Sequence, residues 1–107
     1  MVHFVGEGQG APDLITLRGK ELLEQADVII YAGSLVNPQL LDYAKPKCQI
    51  HNSAKMTLEE VLDVMRQAEK KGRVTVRLHT GDPCIYGAVR EQMDVLDKEG
   101  IAYDSCP

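Results

Sequence analysis

Two glycine-bearing segments contain the residues whose types and spacing best suit chemistry. The first is Gly6-Glu7-Gly8-Gln9-Gly10-Ala11-Pro12, with three glycines in five positions. The second is Gly81-Asp82-Pro83, followed closely by Tyr86-Gly87, and it holds a carboxylate between a glycine and a proline. Glycine lets the backbone approach a ligand closely, and three glycines exceed the need of a single turn. Both segments are therefore candidate ligand-binding loops.

The sequence around Asp82 is consistent with two interpretations. Pro83 disfavours an α conformation at Asp82, so the carboxylate could be held where it accepts hydrogen bonds from ribose hydroxyls or an amino group. An ordinary Asp-Pro turn that caps the next helix explains the same residues. Local sequence alone leaves both interpretations open.

The first loop also matches a dinucleotide fingerprint, G-x-G-x-x-[GA], through Gly6, Gly8 and Ala11. Asp27 lies about 20 residues further on, as the ribose-binding acid of that motif would. However, Pro12 delays the start of the next helix, and Asp27 precedes the second predicted strand rather than ending it. These two misplacements disfavour a nicotinamide or flavin oxidoreductase domain.

The remaining reactive side chains are isolated in sequence. Cys48 and Cys106 are expected to be small, semi-buried residues, and Cys84 a passive loop residue. The three cysteines form neither a disulfide framework nor a metal knuckle, and no metal site or catalytic base is identified. His3 is expected at a surface strand edge. His51 and His79 end strands on the ligand side and are candidate substrate contacts.

Length and composition limit the function classes. The 107 residues suit one domain, and 44% hydrophobic with 26% charged residues is ordinary for a globular protein. The formal charge of −4 argues against a general nucleic-acid binder. No apolar run approaches the roughly 20 residues of a membrane helix, and no signal peptide is recognisable. We therefore expect a cytoplasmic protein that binds neither nucleic acid nor membrane.

Strand and helix patterns alternate along the chain. We predict strands over 1–5, 28–31, 49–51, 74–78 and from 101, and helices over 17–26, 37–45, 58–71 and 86–99. Thr16 should cap the first helix, and Thr57 with Glu60 form a capping box for the third. The predicted buried helix faces comprise Leu17, Leu22, Leu23 and Ala26; Leu58, Val61, Leu62, Met65 and Ala68; and Val89, Met93 and Leu96.

This β-α-β-α-β-α-β-α-β order predicts a three-layer α/β fold. Its sheet should be mostly parallel and five-stranded, with helices on both faces. Ligands bind such sheets at the carboxyl ends of the strands. Both glycine-bearing segments follow strands, and we expect them at that edge.

Long, specific strings resemble one family. YAGSLV, HNSAKMTLEE and HTGDPCIYGA, within a match over essentially the whole chain, are similar to the N-terminal domain of the tetrapyrrole methylases. The resemblance is strongest to members that methylate precorrin-4 or cobalt-precorrin-4 at ring carbon 11. It implies a methyltransferase of cobalamin (and, more broadly, porphyrin) biosynthesis that uses S-adenosylmethionine, releases S-adenosylhomocysteine, binds a tetrapyrrole and works as a homodimer.

The resemblance also implies site residues. Those expected to bind the cofactor are Pro12, Gly81, Asp82, Ile85, Tyr86 and Gly87. Those expected to face the tetrapyrrole are Tyr31, Ser34, Ser53 and Met56. The carboxylates of a tetrapyrrole would also attract Arg77, Lys55 or Arg90, although each is expected to be a solvated surface charge.

The chain departs from the family pattern in two ways. The family loop usually reads G-x-G-P-G-D-P, whereas Gln9 and Ala11 replace the proline and the aspartate here. The family's C-terminal domain is also absent, so residues 1–107 are expected to be inactive alone. These departures leave a non-catalytic binding or assembly module of the same fold as an alternative.

Overall fold

The computed structural model describes residues 1–7, 16–32, 38–80 and 83–106, with backbone alone at residues 7, 38, 80 and 83–86. Five strands form a single sheet: β1 (Val2–Glu7), β2 (Val28–Tyr31), β3 (Gln49–Asn52), β4 (Thr75–Thr80) and β5 (Tyr103–Cys106). The α-helices are α1 (Leu17–Gln25), α2 (Leu58–Lys70) and α3 (Pro83–Glu99). Two 3₁₀ helices span Pro38–Tyr43 and Ser53–Lys55.

The sheet order is β3-β2-β4-β1-β5, and every pairing between these strands is parallel. Strand β4 lies between β1 and β2, so β4 is the middle strand and β1 and β2 are the interior strands on either side of it. In a parallel sheet, all carboxyl ends lie along one edge. The predicted parallel, five-stranded α/β fold is confirmed.

Two hydrophobic clusters cover the two faces of the sheet and make the three predicted layers. On one face, α2 and α3 contribute residues such as Leu62, Met65 and Leu96. On the other face, α1 and the first 3₁₀ helix contribute Leu23 and Leu40, among others. Because both faces are covered, the three interior strands β2, β4 and β1 contribute buried side chains in both directions.

Helix boundaries follow local signals in the sequence. The Thr16 hydroxyl accepts a hydrogen bond from the Gly19 amide at 3.1 Å. Thr57 and Glu60 form the predicted capping box, with bonds of 3.2 Å and 2.9 Å in the two directions. Gly72 follows α2 with a φ of 66°, a left-handed conformation that glycine adopts without steric cost.

Several predicted boundaries were wrong. The helix predicted over 37–45 is the shorter 3₁₀ helix Pro38–Tyr43, and the 3₁₀ turn Ser53–Lys55 was not predicted. Helix α3 begins at Pro83 rather than 86. Proline suits a first helical turn because its φ is already helical. The backbone N–H that proline lacks would have no intrahelical hydrogen-bond partner there. Much of the segment interpreted as a loop is therefore helix.

Two leucines predicted to be buried are exposed. Leu17 is 73% exposed, because the buried stripe of α1 contains Gly19, Leu22 and Leu23 and a helical period of 3.6 residues turns Leu17 away from it. Leu58 is 39% exposed. It is the first residue of α2, and it borders a groove described below.

His3 is not the surface edge residue that was expected. It is 8% exposed, because β1 lies inside the sheet between β4 and β5. Its Nδ1 lies 2.6 Å from Oδ1 of Asp104, the residue paired with it on β5. This partner lies about a hundred residues away in sequence, so no local pattern could have indicated it. Cys48 is partly buried and Cys106 buried, as predicted.

Candidate active site

The adjacent interior strands β1 and β4 end side by side. Their register pairs Glu7 with Thr80, the last residue of each strand. The first glycine segment continues from Glu7, and the second from Thr80. Both segments therefore leave the same edge from adjacent strands, as the sequence predicted, although residues 8–15, 81 and 82 lie outside the described part of the chain.

Residues at this edge also line a pocket beneath α3. Gly6 is the register partner of His79, and the His79 ring packs against it. A pocket of about 240 Å³ lies between this edge and α3, lined by His79, Val89, Arg90, Met93 and Ser105. His79 thus lies on the ligand side of the sheet, as expected for a candidate contact.

A second cavity, hereafter the α3 groove, opens beside the end of β2. Its volume is about 390 Å³, and it lies between the 3₁₀ turn 53–55, the start of α2 and one face of α3. The residues that line it lie either on the face of the sheet that α2 and α3 cover or at the carboxyl edge. They are Ala32, Ser53, Ala54, Met56, Leu58, Val61, Arg77, Ala88, Glu91 and Gln92.

Local hydrogen bonds fix the wall of the α3 groove that follows β3. The Ser53 hydroxyl donates to the carbonyl of Tyr31 at 3.0 Å, which ties this turn to the end of β2. The Asn52 side chain accepts from the Ala54 amide at 2.9 Å and caps the turn. The turn and its serine are therefore held in place before any ligand binds.

Arg77 lies at the base of the α3 groove, and it is not the solvated surface charge that was expected. It is 4% exposed, because β4 is an interior strand and α3 covers this face. Nε donates to Gln92 Oε1 at 3.2 Å, and Nη1 contacts the carbonyls of Ile30 and Leu78 at 3.4 and 3.3 Å. Burial lowers the pKa of Arg77 to about 10.

The structure brings together some of the residues predicted to face the substrate. Ser53 and Met56 both line the α3 groove. The side chain of Tyr31 packs against the cluster on the α1 side and is not among the lining residues of the groove, whereas its carbonyl accepts the hydrogen bond from Ser53. Ser34 lies outside the described residues.

The residues predicted to bind the cofactor are described only in part. Pro12, Gly81 and Asp82 lie outside the described residues. Ile85 and Tyr86 belong to the first turn of α3, and their backbone alone is described. Gly87 is exposed, and a Cβ added there would meet no described atom within 4 Å. The site assignments at these six positions stay predictions.

Asp27 lies at the opposite, amino edge of the sheet. Its carboxylate accepts from Lys45 Nζ at 2.7 Å and from the Val74 amide at 2.8 Å. These bonds, with that to Lys45 foremost, lower the pKa of Asp27. A ribose-binding acid has to lie at the carboxyl edge, so Asp27 does not serve a dinucleotide site at the glycine segments.

The described residues contain neither a cluster of metal ligands nor a membrane-spanning helix. Within them, no group of three or more His, Cys, Asp or Glu side chains is arranged to hold a metal ion. No helix in the described ranges is long and apolar enough to cross a membrane.

Comparison with known proteins identifies the family. The family model of the tetrapyrrole (corrin/porphyrin) methylases matches residues 1–107. The chain belongs to the tetrapyrrole methylase family. The edge where the two glycine segments leave β1 and β4 is thus the carboxyl edge of a tetrapyrrole methylase α/β domain.

Curated relatives within the tetrapyrrole methylases are considerably longer than this chain. A cobalt-precorrin-4 C(11)-methyltransferase of Methanocaldococcus jannaschii is 58% identical over 106 residues, which are 99% of this chain and 41% of the relative. A precorrin-4 C(11)-methyltransferase of Sinorhizobium sp is 46% identical over 106 residues, which are 42% of its length. The chain spans about two fifths of these relatives.

Solved methyltransferase structures share this fold over part of their length. The X-ray structure of a cobalt precorrin-4 methyltransferase of cobalamin biosynthesis matches with a TM-score of 0.91 and 44% identity, covering 99% of this chain and 44% of that one. A uroporphyrin-III C-methyltransferase from Thermus thermophilus, complexed with S-adenosyl homocysteine, matches with a TM-score of 0.78 and 29% identity, over 99% and 43% of the two chains.

Sequence reasoning missed Gln92 and Glu91 of the α3 groove and misjudged Arg77. The sequence did contain a signal for the burial of Arg77. It lies between the apolar Val76 and Leu78 on a predicted strand, and in a three-layer fold helices cover both faces of the sheet. Its burial depended on β4 being an interior strand, which the order of elements along the chain did not specify. Gln92 is 3% exposed and lies on the buried side of α3, between Val89 and Leu96.

Proposed function

We propose that the complete protein containing this chain transfers a methyl group from S-adenosylmethionine to ring carbon 11 of precorrin-4 or cobalt-precorrin-4, in cobalamin biosynthesis. The observation that carries the proposal is the 58% identity, over 99% of the chain, to a relative that bears this activity in its name. The similarity to a solved cobalt precorrin-4 methyltransferase supports the same function.

The geometry of the carboxyl edge fits such a cofactor. Two glycine-bearing segments continue from paired residues of adjacent strands, and Gly87 leaves open space beside its backbone. We assign cofactor binding to Pro12, Gly81, Asp82, Ile85, Tyr86 and Gly87. S-adenosylmethionine supplies an activated methyl group when bound, and S-adenosylhomocysteine is the product.

The protein's own contribution is positioning. A displacement at carbon needs its acceptor aligned with the methyl group at about 3 Å, and such alignment can remove several kcal/mol of the barrier. Ser53 and Met56 line the α3 groove at the edge of the sheet, and Ser53 is held by the Tyr31 carbonyl. We assign the tetrapyrrole to this groove, with Tyr31 acting through its carbonyl and Ser34 as a further substrate residue.

We also propose that the complete protein acts in the cytoplasm as a homodimer, on the strength of the family resemblance. Residues 1–107 alone are expected to give no turnover, because the relatives with this activity are more than twice as long. Their remaining length is expected to complete the cofactor cleft.

The test is methyl transfer by the purified full-length protein. With S-adenosylmethionine labelled in its methyl group and cobalt-precorrin-4 or precorrin-4, we expect label on ring carbon 11, located by NMR. S-adenosylhomocysteine should raise the melting temperature, whereas NADH should not, because only a ligand of the native state stabilises it.

Other outcomes would identify the rival functions. Stabilisation by S-adenosylhomocysteine without transfer to any tetrapyrrole would support a non-catalytic module, for which Gln9 and Ala11 are the motivating departures. Stabilisation by NADH alone would support a dinucleotide site.

A further inference from the structure

Arg77 is a buried cation without a described anionic partner. The guanidinium has five N–H donors. One donates from Nε to Gln92, and Nη1 contacts two main-chain carbonyls. Within the described ranges, Nη2 donates to no residue and no carboxylate lies within 4.0 Å of the guanidinium. Two donors of a charged group thus remain available.

Such an arrangement is costly for the unliganded protein. Removing a charge from water is unfavourable unless a counter-charge and hydrogen bonds replace the lost solvation. The three acceptors of Arg77 are neutral oxygens, and all three contacts, at 3.2, 3.4 and 3.3 Å, are longer than the usual 2.9–3.0 Å. The position of Arg77 is therefore not explained by the packing of β4 alone.

The position is explained if the α3 groove receives an anion. Arg77 lines the groove together with Ser53 and Met56. Gln92, itself 3% exposed, accepts from Nε and so fixes the plane of the guanidinium. A guanidinium held in this way keeps its two Nη2 N–H groups in a fixed plane, where they can donate charge-assisted hydrogen bonds to an anion such as a carboxylate.

We propose that Arg77 binds a peripheral carboxylate of the tetrapyrrole substrate in the α3 groove, with Gln92 as the positioning residue. The inference rests on the proposed function, because the acetate and propionate groups of a tetrapyrrole supply carboxylates around its ring. Lys55, exposed on the turn that contributes Ser53 and Ala54 to the groove, adds a positive charge on the same turn. Glu91 also lines the groove, but its side chain is exposed to solvent, which screens its repulsion.

The experiment compares variants of the full-length protein. Arg77→Met removes the charge and keeps an apolar stem, whereas Arg77→Lys keeps the charge without the planar guanidinium donors. The control is Arg73→Met, which removes the same charge two residues before β4, at the opposite edge of the sheet. For each, we would measure KM for cobalt-precorrin-4 with kcat, the Kd of S-adenosylhomocysteine and the melting temperature.

We expect Arg77→Met to raise KM by on the order of tenfold to a hundredfold, the range of a lost hydrogen bond to a charged group. Arg77→Lys should fall between Arg77→Met and wild type. The Kd of S-adenosylhomocysteine should stay near wild type in both, and Arg73→Met should match wild type throughout. Melting temperatures should change by only a few degrees, because the lost hydrogen bonds are offset by removal of a buried charge.

A normal KM in a folded Arg77→Met protein would overturn the proposal. A purely structural arginine would instead give a large fall in melting temperature and weaken both ligands alike, already in Arg77→Lys. Failure of the proposed function would give a third result, because the wild-type protein itself would then bind no tetrapyrrole.

Discussion

The imidazole of His79 occupies the space beside Gly6, its register partner across the β1–β4 pair. A Cβ built on Gly6 would lie 3.3 Å from Cε1 of His79, closer than ordinary van der Waals contact. The absence of a side chain at position 6 therefore determines where this ring can lie. Both residues stand at the edge from which the two glycine-bearing segments leave.

We predict that Gly6→Ala destabilises the protein by about 1 kcal/mol. Alanine in a strand gains about 0.5–1 kcal/mol over glycine, but here the new methyl must displace a ring that makes further interactions of its own. Equilibrium denaturation of Gly6→Ala, His79→Ala and the double variant measures the coupling, which should be at least about 0.5 kcal/mol. Strict additivity of the two changes would show that the contact is not strained.

The two interpretations of Asp82 separate on one titration. If its carboxylate accepts hydrogen bonds from the cofactor, Asp82→Asn in the full-length protein should weaken S-adenosylmethionine binding by on the order of tenfold to a hundredfold. If it only caps α3, asparagine caps about as well, so affinity and stability should stay near wild type. Calorimetric titration of wild type and variant decides; unchanged affinity would remove Asp82 from the site.

Asp27 should contribute to stability in a pH-dependent way. Its pKa is lowered in the folded state, mainly by the hydrogen bond from Lys45. The carboxylate therefore stabilises the fold at pH values above its ordinary pKa of about 3.9, and this stabilisation is lost as the pH falls through the lower folded value.

The variant Asp27→Asn tests this sign. It should be less stable than wild type at pH 7 by up to about 1 kcal/mol, the range of exposed ion pairs, and the difference should shrink towards pH 2. Denaturant titrations at several pH values measure it. A difference that is the same at pH 7 and pH 2 would assign the effect to the Val74 hydrogen bond rather than to charge.

The capping box of α2 should be measurable in the same way. Thr57→Ala removes the hydroxyl that accepts from Glu60, which should cost about 1 kcal/mol of unfolding free energy. Thr57→Ser keeps an acceptor oxygen and is the matched control, expected within about 0.5 kcal/mol of wild type. Equal losses in both variants would mean that the threonine methyl, not the cap, carries the effect.

Features encoded over a few residues were predicted from the sequence. The Thr57 cap, the glycine after α2 and the continuous apolar run of β2 each depend on neighbours within one or two helical turns. Strand-helix alternation then limited the fold to a parallel sheet, which put both glycine segments at one edge. The resemblance to the family supplied the proposed site residues, which spacing alone did not identify.

Features that depend on strand order were not predictable in this way. The burial of His3 and of Arg77 both require β1 and β4 to be interior strands. The partner of His3 comes from β5 and that of Arg77 from α3. The side chain of Tyr31 lies on the α1 face of the sheet, opposite the α3 groove, because side chains alternate between the two faces along β2.

Because β1 is an interior strand, the N-terminus cannot take its native place in the sheet until much later parts of the chain have been synthesised. Val2 pairs only with residues far along the chain, Thr75 on β4 and Tyr103 on β5. At about 5–20 residues per second, the ribosome needs roughly 4 to 15 seconds between making Val2 and making Thr75. For that time, Phe4 and Val5, fully buried in the native sheet, have neither strand partner. Hydrophobic collapse takes well under a millisecond, so collapse before β4 emerges would bury these two side chains in non-native contacts.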